Sequence, residues 1–298
     1  MMDRLAALKT FVLVADHRSF AEAARRLRVS PTAASRAVAA LEHDLGVTLV
    51  RRTTRSVRLT PEGESYVERC RRVLDDLDDA ERSLRGEDAA PRGALAIAAP
   101  VVFGRMHVLP IITDLLRAHA ALHVRLTLND RLVRLVEEGI DVALRIGDLA
   151  DSTLHALRVA EVRRVLVASP AYLEARGAPA DVAALAAHDL VVFESFAQNG
   201  EWRFGPDAGP PLRANPRLLT DSVESAIDAA IAGVGITRVL SYQVQAHVQA
   251  GRLRYVLEGA EPPPAPVSLV FQANRRRAPN VAAFVAAAQE YCRGRDFA

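Results

Sequence analysis

The sequence predicts an α/β protein in two parts. A small N-terminal domain of helices closed by a hairpin is carried on a long linker helix, and a larger half follows in which strands and helices alternate. Three observations predict this. Residues 19–59 hold two capped helical runs and then change to a strand period. Residues 61–84 repeat apolar side chains at spacings of four and three. Beyond a joint rich in Gly and Pro, short apolar runs alternate with amphipathic ones, the rhythm of strands and crossover helices. With 298 residues, the chain has room for two domains of roughly 150 residues and a large core.

The first helix is expected over Asp3 to Ala15, where Leu5, Leu8, Phe11, Val12 and Ala15 share one side. Ser19, with Glu22 three residues on, has the form of a capping box: the hydroxyl accepts from a first-turn amide and the carboxylate reaches back to the serine amide. A second helix therefore starts near Phe20, with Ala23, Ala24 and Leu27 as its apolar face. Val29-Ser30 leaves room only for a short turn. Ser30 is then an N-cap and Pro31 suits the first helical position, where no amide donor is needed. Ala34, Val38, Leu41 and Leu45 recur at helical spacing, and Gly46 supplies a left-handed stop. This phase turns Thr32, Ser35 and Arg36 outward. Two helices joined by a few residues, the second bearing small polar and basic side chains at its start, form the helix-turn-helix whose second helix reads a DNA major groove.

After Gly46 the period becomes two. Leu49–Arg52 and Ser56–Leu59 flank Thr53-Thr54-Arg55, a short hairpin with a basic tip, the wing of a winged helix-turn-helix. Over residues 1–60 eleven basic side chains face five acidic ones, which supports a phosphate-binding face. Ser30, Pro31, Thr32, Ser35 and Arg36 are expected near bases and adjacent phosphates. Arg51, Arg52, Thr53 and Arg55 are expected on the flanking backbone or minor groove. The alternative for an arginine cluster alone is a solvated basic face; here cap, turn, helix and hairpin coincide.

Thr60-Pro61 repeats the cap-then-proline start and opens the linker helix over residues 61–85. Tyr66, Cys70, Val73, Leu77, Ala80 and Leu84 keep one seam toward a partner helix, while the other faces carry charge, so the seam is expected to pair two copies of the chain. A two-fold pair of reading helices requires an inverted-repeat site in double-stranded DNA. Residues 86–93, GEDAAPRG, form a hinge.

In the second half, strands are expected at Leu95–Ala99, His123–Asn129, Asp141–Ile146, a long extended run Leu157–Ala168, Leu190–Phe193, Trp202–Phe204, Leu218–Thr220, Ile236–Val239, Leu253–Val256 and Val267–Phe271. Helices are expected up to His119, kinked or divided at Pro110, at Arg131–Glu138, after Ser169-Pro170, and at Ser222–Ala232, Tyr242–Ala250 and Asn280–Arg293. The opening βαβαβ order suggests a parallel sheet. Gly233-Val234-Gly235 is read as a helix-to-strand turn.

Composition sets further limits. Lys+Arg 38 against Asp+Glu 36 makes the whole nearly neutral, so the basic N-terminal face is local. Cys70 and Cys292 have no paired spacing, which favours a reducing compartment over a disulfide framework or zinc site. Residues 1–20 lack a continuous signal-peptide core, and no apolar run approaches the roughly 20 residues of a membrane span. No nucleophile elbow, metalloprotease helix, phosphate loop or dinucleotide fingerprint occurs, and the histidines are scattered, so no enzyme activity, cofactor or metal is expected. His107, His119 and His123 are read as surface or locally bonded.

The run from Phe11 to Glu64, with its SF-x-x-AA-x-x-L helix, S-P-x-A-x-S-R reading helix, LE-x-x-LG exit and R-T-x-R-x-x-x-LT wing, resembles the N-terminal domain of the LysR-type transcriptional regulators. Val50 departs from the phenylalanine usual there. GALAIAAP, LVEEGIDVALRIG, ASPAYL and AIAGVGITRVLSYQV resemble that family's effector-binding domain. The resemblance implies two α/β lobes like a periplasmic solute-binding protein, joined by crossing strands near Val162–Val167 and Pro266–Phe271. It places lobe I over about 94–162 and 268–298 and lobe II over about 163–267, within a domain 94–298 that follows 1–60, 61–85 and 86–93. It further implies a cytoplasmic regulator, dimeric or tetrameric, controlled by a small metabolite and working with RNA polymerase.

A ligand between such lobes sits at strand carboxyl ends near helix N-termini, which points to Pro100, Val101, Phe103, Arg145, Ile146, Gly147, Thr220 and Ser222. Ala99-Pro100-Val101 lacks the hydroxyl the family often offers, which leaves an apolar mouth. Arg145 either meets an anionic effector or pairs with Asp148 or Asp141. Trp202 and Phe196 either line the cleft or belong to the core. The rivals are a solute-binding protein, which the helix-turn-helix opposes; an α/β enzyme with a fused DNA-binding module; and an architectural DNA binder indifferent to ligands.

Overall fold

Helix α1 (Arg4–His17) begins on the Asp3 carboxylate, which accepts from the Leu5 and Ala6 amides at 3.0 and 3.3 Å. The structure is a computed structural model that describes residues 3–52, 57–84, 90–131, 133–149, 154–194, 201–206, 209–275 and 278–297. The chain divides into two compact units.

In the first unit, α1 buries Ala7, Phe11 and Val14 against α2 (Phe20–Leu27) and α3 (Pro31–Leu45). Ser19 Oγ accepts from the Glu22 amide at 3.2 Å. The Glu22 carboxylate, expected back on the serine amide, is turned instead to Arg25 at 2.5 Å and Arg26 at 3.2 Å. Ser30 Oγ accepts from the Ala33 amide at 3.1 Å with Pro31 at the first helical position, and Gly46 ends α3 with φ 69°. Strands β1 (Val50–Arg52) and β2 (Val57–Leu59) pair antiparallel; the tip, 53–56, lies outside the described residues. Val50 is buried in the same core as Leu41 and Leu49, so the smaller side chain still fills the place beneath the wing. Helix α4 (Pro61–Leu84) starts on buried Thr60, whose hydroxyl donates to the Thr48 carbonyl at 2.7 Å and accepts from the Gly63 amide at 2.9 Å.

The second half runs through β3 (Gly93–Ala99), α5 (Val101–Phe103), a π-helical turn at Gly104–Val108, α6 (Leu109–Ala118), β4 (Leu122–Leu128), α7 (Leu135–Glu138), β5 (Val142–Ile146), β6 (His155–Val162) and β7 (Arg164–Ala168). Then come α8 (Pro170–Arg176), β8 (Leu190–Phe193), β9 (Glu201–Trp202), β10 (Leu212–Arg213), β11 (Pro216–Thr220), α9 (Val223–Ile231), β12 (Ile236–Leu240), α10 (Ser241–Gln249), β13 (Arg254–Val256), β14 (Ala265–Phe271) and α11 (Pro279–Cys292). One five-stranded sheet has the order β4-β3-β5-β14-β6 and the other β11-β8-β12-β7-β13.

Neither sheet is purely parallel. β3 and β5 are parallel, as are β11, β8 and β12, but β14 and β7 run antiparallel to their neighbours. These are the strands at which the chain crosses between sheets, so each enters its sheet from the opposite end. The expected run Leu157–Ala168 is therefore two strands, broken at Arg163. There the Ser241 hydroxyl accepts from the Arg163 amide at 3.3 Å, and the Ser241 amide donates to the Arg163 carbonyl at 3.0 Å.

Two helical expectations change. Pro110 does not break its helix, because the turn before it widens: the Leu109 amide bonds the Gly104 carbonyl, five residues back, which accommodates a residue without a donor. The helix expected over Arg131–Glu138 is only α7. The Arg131 amide is taken by Asn129 Oδ1 at 2.8 Å, the Val133 carbonyl by Arg145 at 2.7 Å and the Arg134 amide by Glu138 Oε1 at 2.8 Å, bonds that compete with helix.

Candidate nucleic-acid interface and ligand cavity

The first turn of α3 presents Ser30, Pro31, Thr32, Ala33 and Arg36 to solvent, with Ser35 half-buried, while Ala34, Val38 and Leu41 are at most 1% exposed on the opposite side. Alanines at 33, 37 and 40 leave an open hollow of about 420 Å³ bordered by Ser30, Thr32 and Arg36. A smooth surface of this kind lets a helix seat deep in a groove.

Exposed basic side chains stand on α2 and on the wing. Arg25 and Arg26 stay exposed while bracketing Glu22, and the hydrogen bond from Arg25 holds that carboxyl below the ordinary carboxylate range. On the wing, Arg51 and Arg58 are directly opposed across β1 and β2 and both exposed. Like charges so placed destabilise a hairpin unless an anion lies over them. The Arg52 side chain, and Thr53 and Arg55, lie outside the described residues. One functional residue was missed by sequence reasoning: Glu42, whose Oε1 accepts from the Leu49 and Val50 amides at 2.8 and 2.9 Å. It ties the wing's first strand to the helix that precedes it.

The seam expected along α4 divides. Tyr66 stacks near Phe11, ring centroids 5.9 Å apart, and Cys70 is 2% exposed in the unit's own core. These two face α1, which fills the space a partner would need. Val73 is 54% exposed and Leu77 half-buried. The side chains of Ala80 and Leu84 lie outside the described residues.

In the second unit a cavity of about 630 Å³ opens at the carboxyl ends of β3 and β5. Pro100, Arg145, Ile146 and Gly147 line it, as expected from the sequence, together with Asn129, Asp130 and Asp148. The Val101 amide is held by Asp130 Oδ1 at 3.1 Å. Asp130 is half-buried with its pKa raised by desolvation. Val101, Phe103, Thr220 and Ser222 do not line this cavity. Phe103 is 1% exposed among His107, Tyr242 and Phe297. Ser222 Oγ is spent on the Ser225 amide at the start of α9, and Thr220 Oγ1 accepts from the Ser222 amide, both at 3.2 Å. Arg145 pairs with neither aspartate proposed for it. Buried Asp141 accepts from the Ala96 amide at 2.8 Å and pairs with Arg275 at 3.4 Å, and Asp148 acts on Arg164.

Trp202 is 1% exposed in the core of the second sheet, with the Arg238 guanidinium 5.2 Å above its ring; Phe196 lies outside the described residues. His107 is half-buried rather than a surface residue, its Nδ1 3.4 Å from the Tyr291 hydroxyl. Cys70 and Cys292 are free and buried, which pushes both thiols up to about 11 and leaves them unreactive. Among the described residues no group of His, Cys, Asp and Glu could hold a metal, and no helix is long and apolar enough to cross a membrane.

Residues 5–64 match the model of bacterial regulatory helix-turn-helix proteins of the lysR family, and residues 88–293 that of the LysR substrate binding domain. The chain is 32% identical to an HTH-type transcriptional repressor of Pseudomonas aeruginosa, over 95% of this chain and 90% of that protein. It is 35% identical to the regulator DmlR of Escherichia coli, over 84% and 82%. The solved structure of CrgA, a LysR-type regulator from Neisseria meningitidis, superposes with a TM-score of 0.62 at 27% identity, covering 97% of this chain and 98% of that one.

Proposed function

The chain belongs to the lysR family of bacterial helix-turn-helix regulators, and from that premise we propose which of its residues carry the function. It is a transcriptional regulator and not an enzyme, with a helix-turn-helix for DNA and a substrate-binding domain for a small-molecule effector. In our reading the chain divides into a winged helix-turn-helix (1–60), linker helix (61–85), hinge (86–93) and two-lobed effector domain (94–298).

Ser30, Pro31, Thr32, Ser35 and Arg36 meet bases and the nearest phosphates, and Arg51, Arg52, Thr53 and Arg55, joined by Arg58, grip the flanking backbone. The observation that carries this is the solvent-facing first turn of α3 above buried Ala34, Val38 and Leu41. Val73 and Leu77, continued by Ala80 and Leu84, form the seam of a homodimer, and two dimers assemble into a tetramer on inverted repeats. Pro100, Arg145, Ile146 and Gly147, which line the cavity, receive the effector. Its binding shifts the balance between conformations by preferring one, and so changes the spacing of DNA contacts presented to RNA polymerase in the cytoplasm.

Footprinting of the intergenic DNA beside the gene tests this. Two protected half-sites of dyad symmetry, one helical turn or a multiple apart, are expected. The double change Val73→Glu with Leu77→Glu should leave a monomer by sedimentation that protects neither. A single half-site bound equally by wild type and double variant would overturn the dimeric reading.

A further inference from the structure

Helices α3 and α7 stop on Gly46 and Gly139, both left-handed, and glycine enters that region without strain. Helices α1 and α2 stop in the same left-handed conformation on arginines, Arg18 at φ 48° and Arg28 at φ 57°. Among the described residues Leu257 alone shares a positive φ with them without being glycine, and a Cβ in this region crowds the following carbonyl. Both arginines are exposed, and neither guanidinium has a hydrogen-bond or ion-pair partner among the described residues. A cation at a helix C-terminus is favoured by the helix dipole, which by itself would account for an arginine at either stop. Their position in the chain argues further. Arg18 directly precedes Ser19, the N-cap of α2, and Arg28 stands two residues before Ser30, the N-cap of α3. Each cation therefore lies between a helix end that favours it and one that favours an anion. From Arg28 to Ala33 every residue is exposed, so the second stop and the first turn of α3 form one continuous surface.

Resting on the DNA-reading face assigned above, we propose that Arg18 and Arg28 are backbone contacts to DNA, each holding a phosphate at the start of the helix that follows it. The first helix of such a pair crosses the DNA backbone while the second enters the groove, and the two arginines flank the two ends of that crossing helix, α2. A phosphate beside either one neutralises the guanidinium and meets the positive end of the next helix, so both electrostatic demands are satisfied by one group. Glycine at these stops would relax the backbone of the free protein and bring no charge to the duplex.

The test uses the full chain on the footprinted duplex and on a scrambled one. Arg18→Gly and Arg28→Gly should each melt at or above the wild-type temperature, because glycine relieves the backbone. Each should nonetheless weaken binding to both duplexes alike and lower the slope of log K against log salt by about 1. Between about 50 and 200 mM salt the variant then loses roughly fourfold less affinity than wild type. Arg28→Lys keeps a charge and should hold the slope. Lys9→Ala removes an exposed charge from α1 and should leave the slope unchanged. Arg18→Asn and Arg28→Asn, neutral and tolerated in the left-handed region, repeat the comparison if a glycine variant does not fold. An unaltered slope in either neutral variant, with or without a lower melting temperature, would make the arginines helix stops and nothing more. An equal fall in slope for Lys9→Ala would mean that charge anywhere on the domain suffices, and would overturn the proposal too. In both cases the reading face stands if Arg36→Ala still relaxes base preference on the same duplexes, and falls with the proposal if it does not.

Discussion

The Glu42 carboxylate reaches across seven residues to accept from the Leu49 amide at 2.8 Å. The same oxygen also takes the Val50 amide, so the last turn of the reading helix and the first strand of the wing are one hydrogen-bonded piece. Glu42→Ala leaves two half-buried amides unsatisfied, and a loss of about 2 kcal/mol is expected in urea unfolding. Because the wing is displaced while α3 is untouched, DNA affinity should fall equally on specific and random duplexes. A loss confined to specific DNA would mean that Glu42 instead supports base reading.

Arg51 and Arg58 face each other across the hairpin with like charge. Arg58→Ala should therefore leave the free protein as stable as wild type, or more stable by a few tenths of a kcal/mol. It should also weaken binding to every sequence and reduce the slope of log K against log salt by about 1. Thr32→Ala and Arg36→Ala should change base preference as well, each mismatch costing about 1–3 kcal/mol less discrimination. Mobility shifts at four salt concentrations on specific and scrambled DNA separate the two patterns. Identical slopes and identical specificity ratios for Arg58 and Arg36 variants would refute the division of roles.

A Cβ built on Gly63 would stand 2.1 Å from the Leu49 carbonyl oxygen. Helix α4 packs onto the wing by backbone at this point, so Gly63→Ala must push the two apart. A destabilisation of about 1–3 kcal/mol follows from overpacking, read as a lower urea midpoint with unchanged m. A midpoint within error of wild type would show that α4 can shift without cost.

What the sequence made legible was what neighbours in the chain decide. Ser30, Pro31 and Gly46 bound α3 where expected because a cap, a fixed φ and a left-handed stop act within one turn. The alternation of Ala34, Val38 and Leu41 gave the buried face and hence the exposed one. What it could not give is set by distant partners. Arg163 ends a strand because Ser241, far along the chain, holds its amide and carbonyl. The wall of the cavity includes Asn129 and Asp130 because Asp130 caps Val101. Periodicity along α4 found an apolar row, but only packing shows that Tyr66 and Cys70 meet α1 of their own chain.

His107 sits among Phe103, Tyr242 and Phe297, with ring centroids 4.6–5.6 Å away and Nε2 buried without a partner among the described residues. Desolvation, helped by Arg295, pushes its pKa down from 6.5 to about 4. Below pH 6.5 the unfolded chain takes a proton on this ring that the folded chain refuses until about pH 4. Stability from this group is thus fully present above pH 6.5 and falls as pH drops through that window. Allowing for the ring's partial exposure, the loss by pH 4 is about 1–2 kcal/mol. His107→Phe, which keeps an aromatic ring in the cluster, should shrink the difference between urea unfolding at pH 7 and pH 5 relative to wild type. An equal or larger difference in the variant would mean that the ring titrates freely in the folded protein and that its surroundings do not exclude the charge.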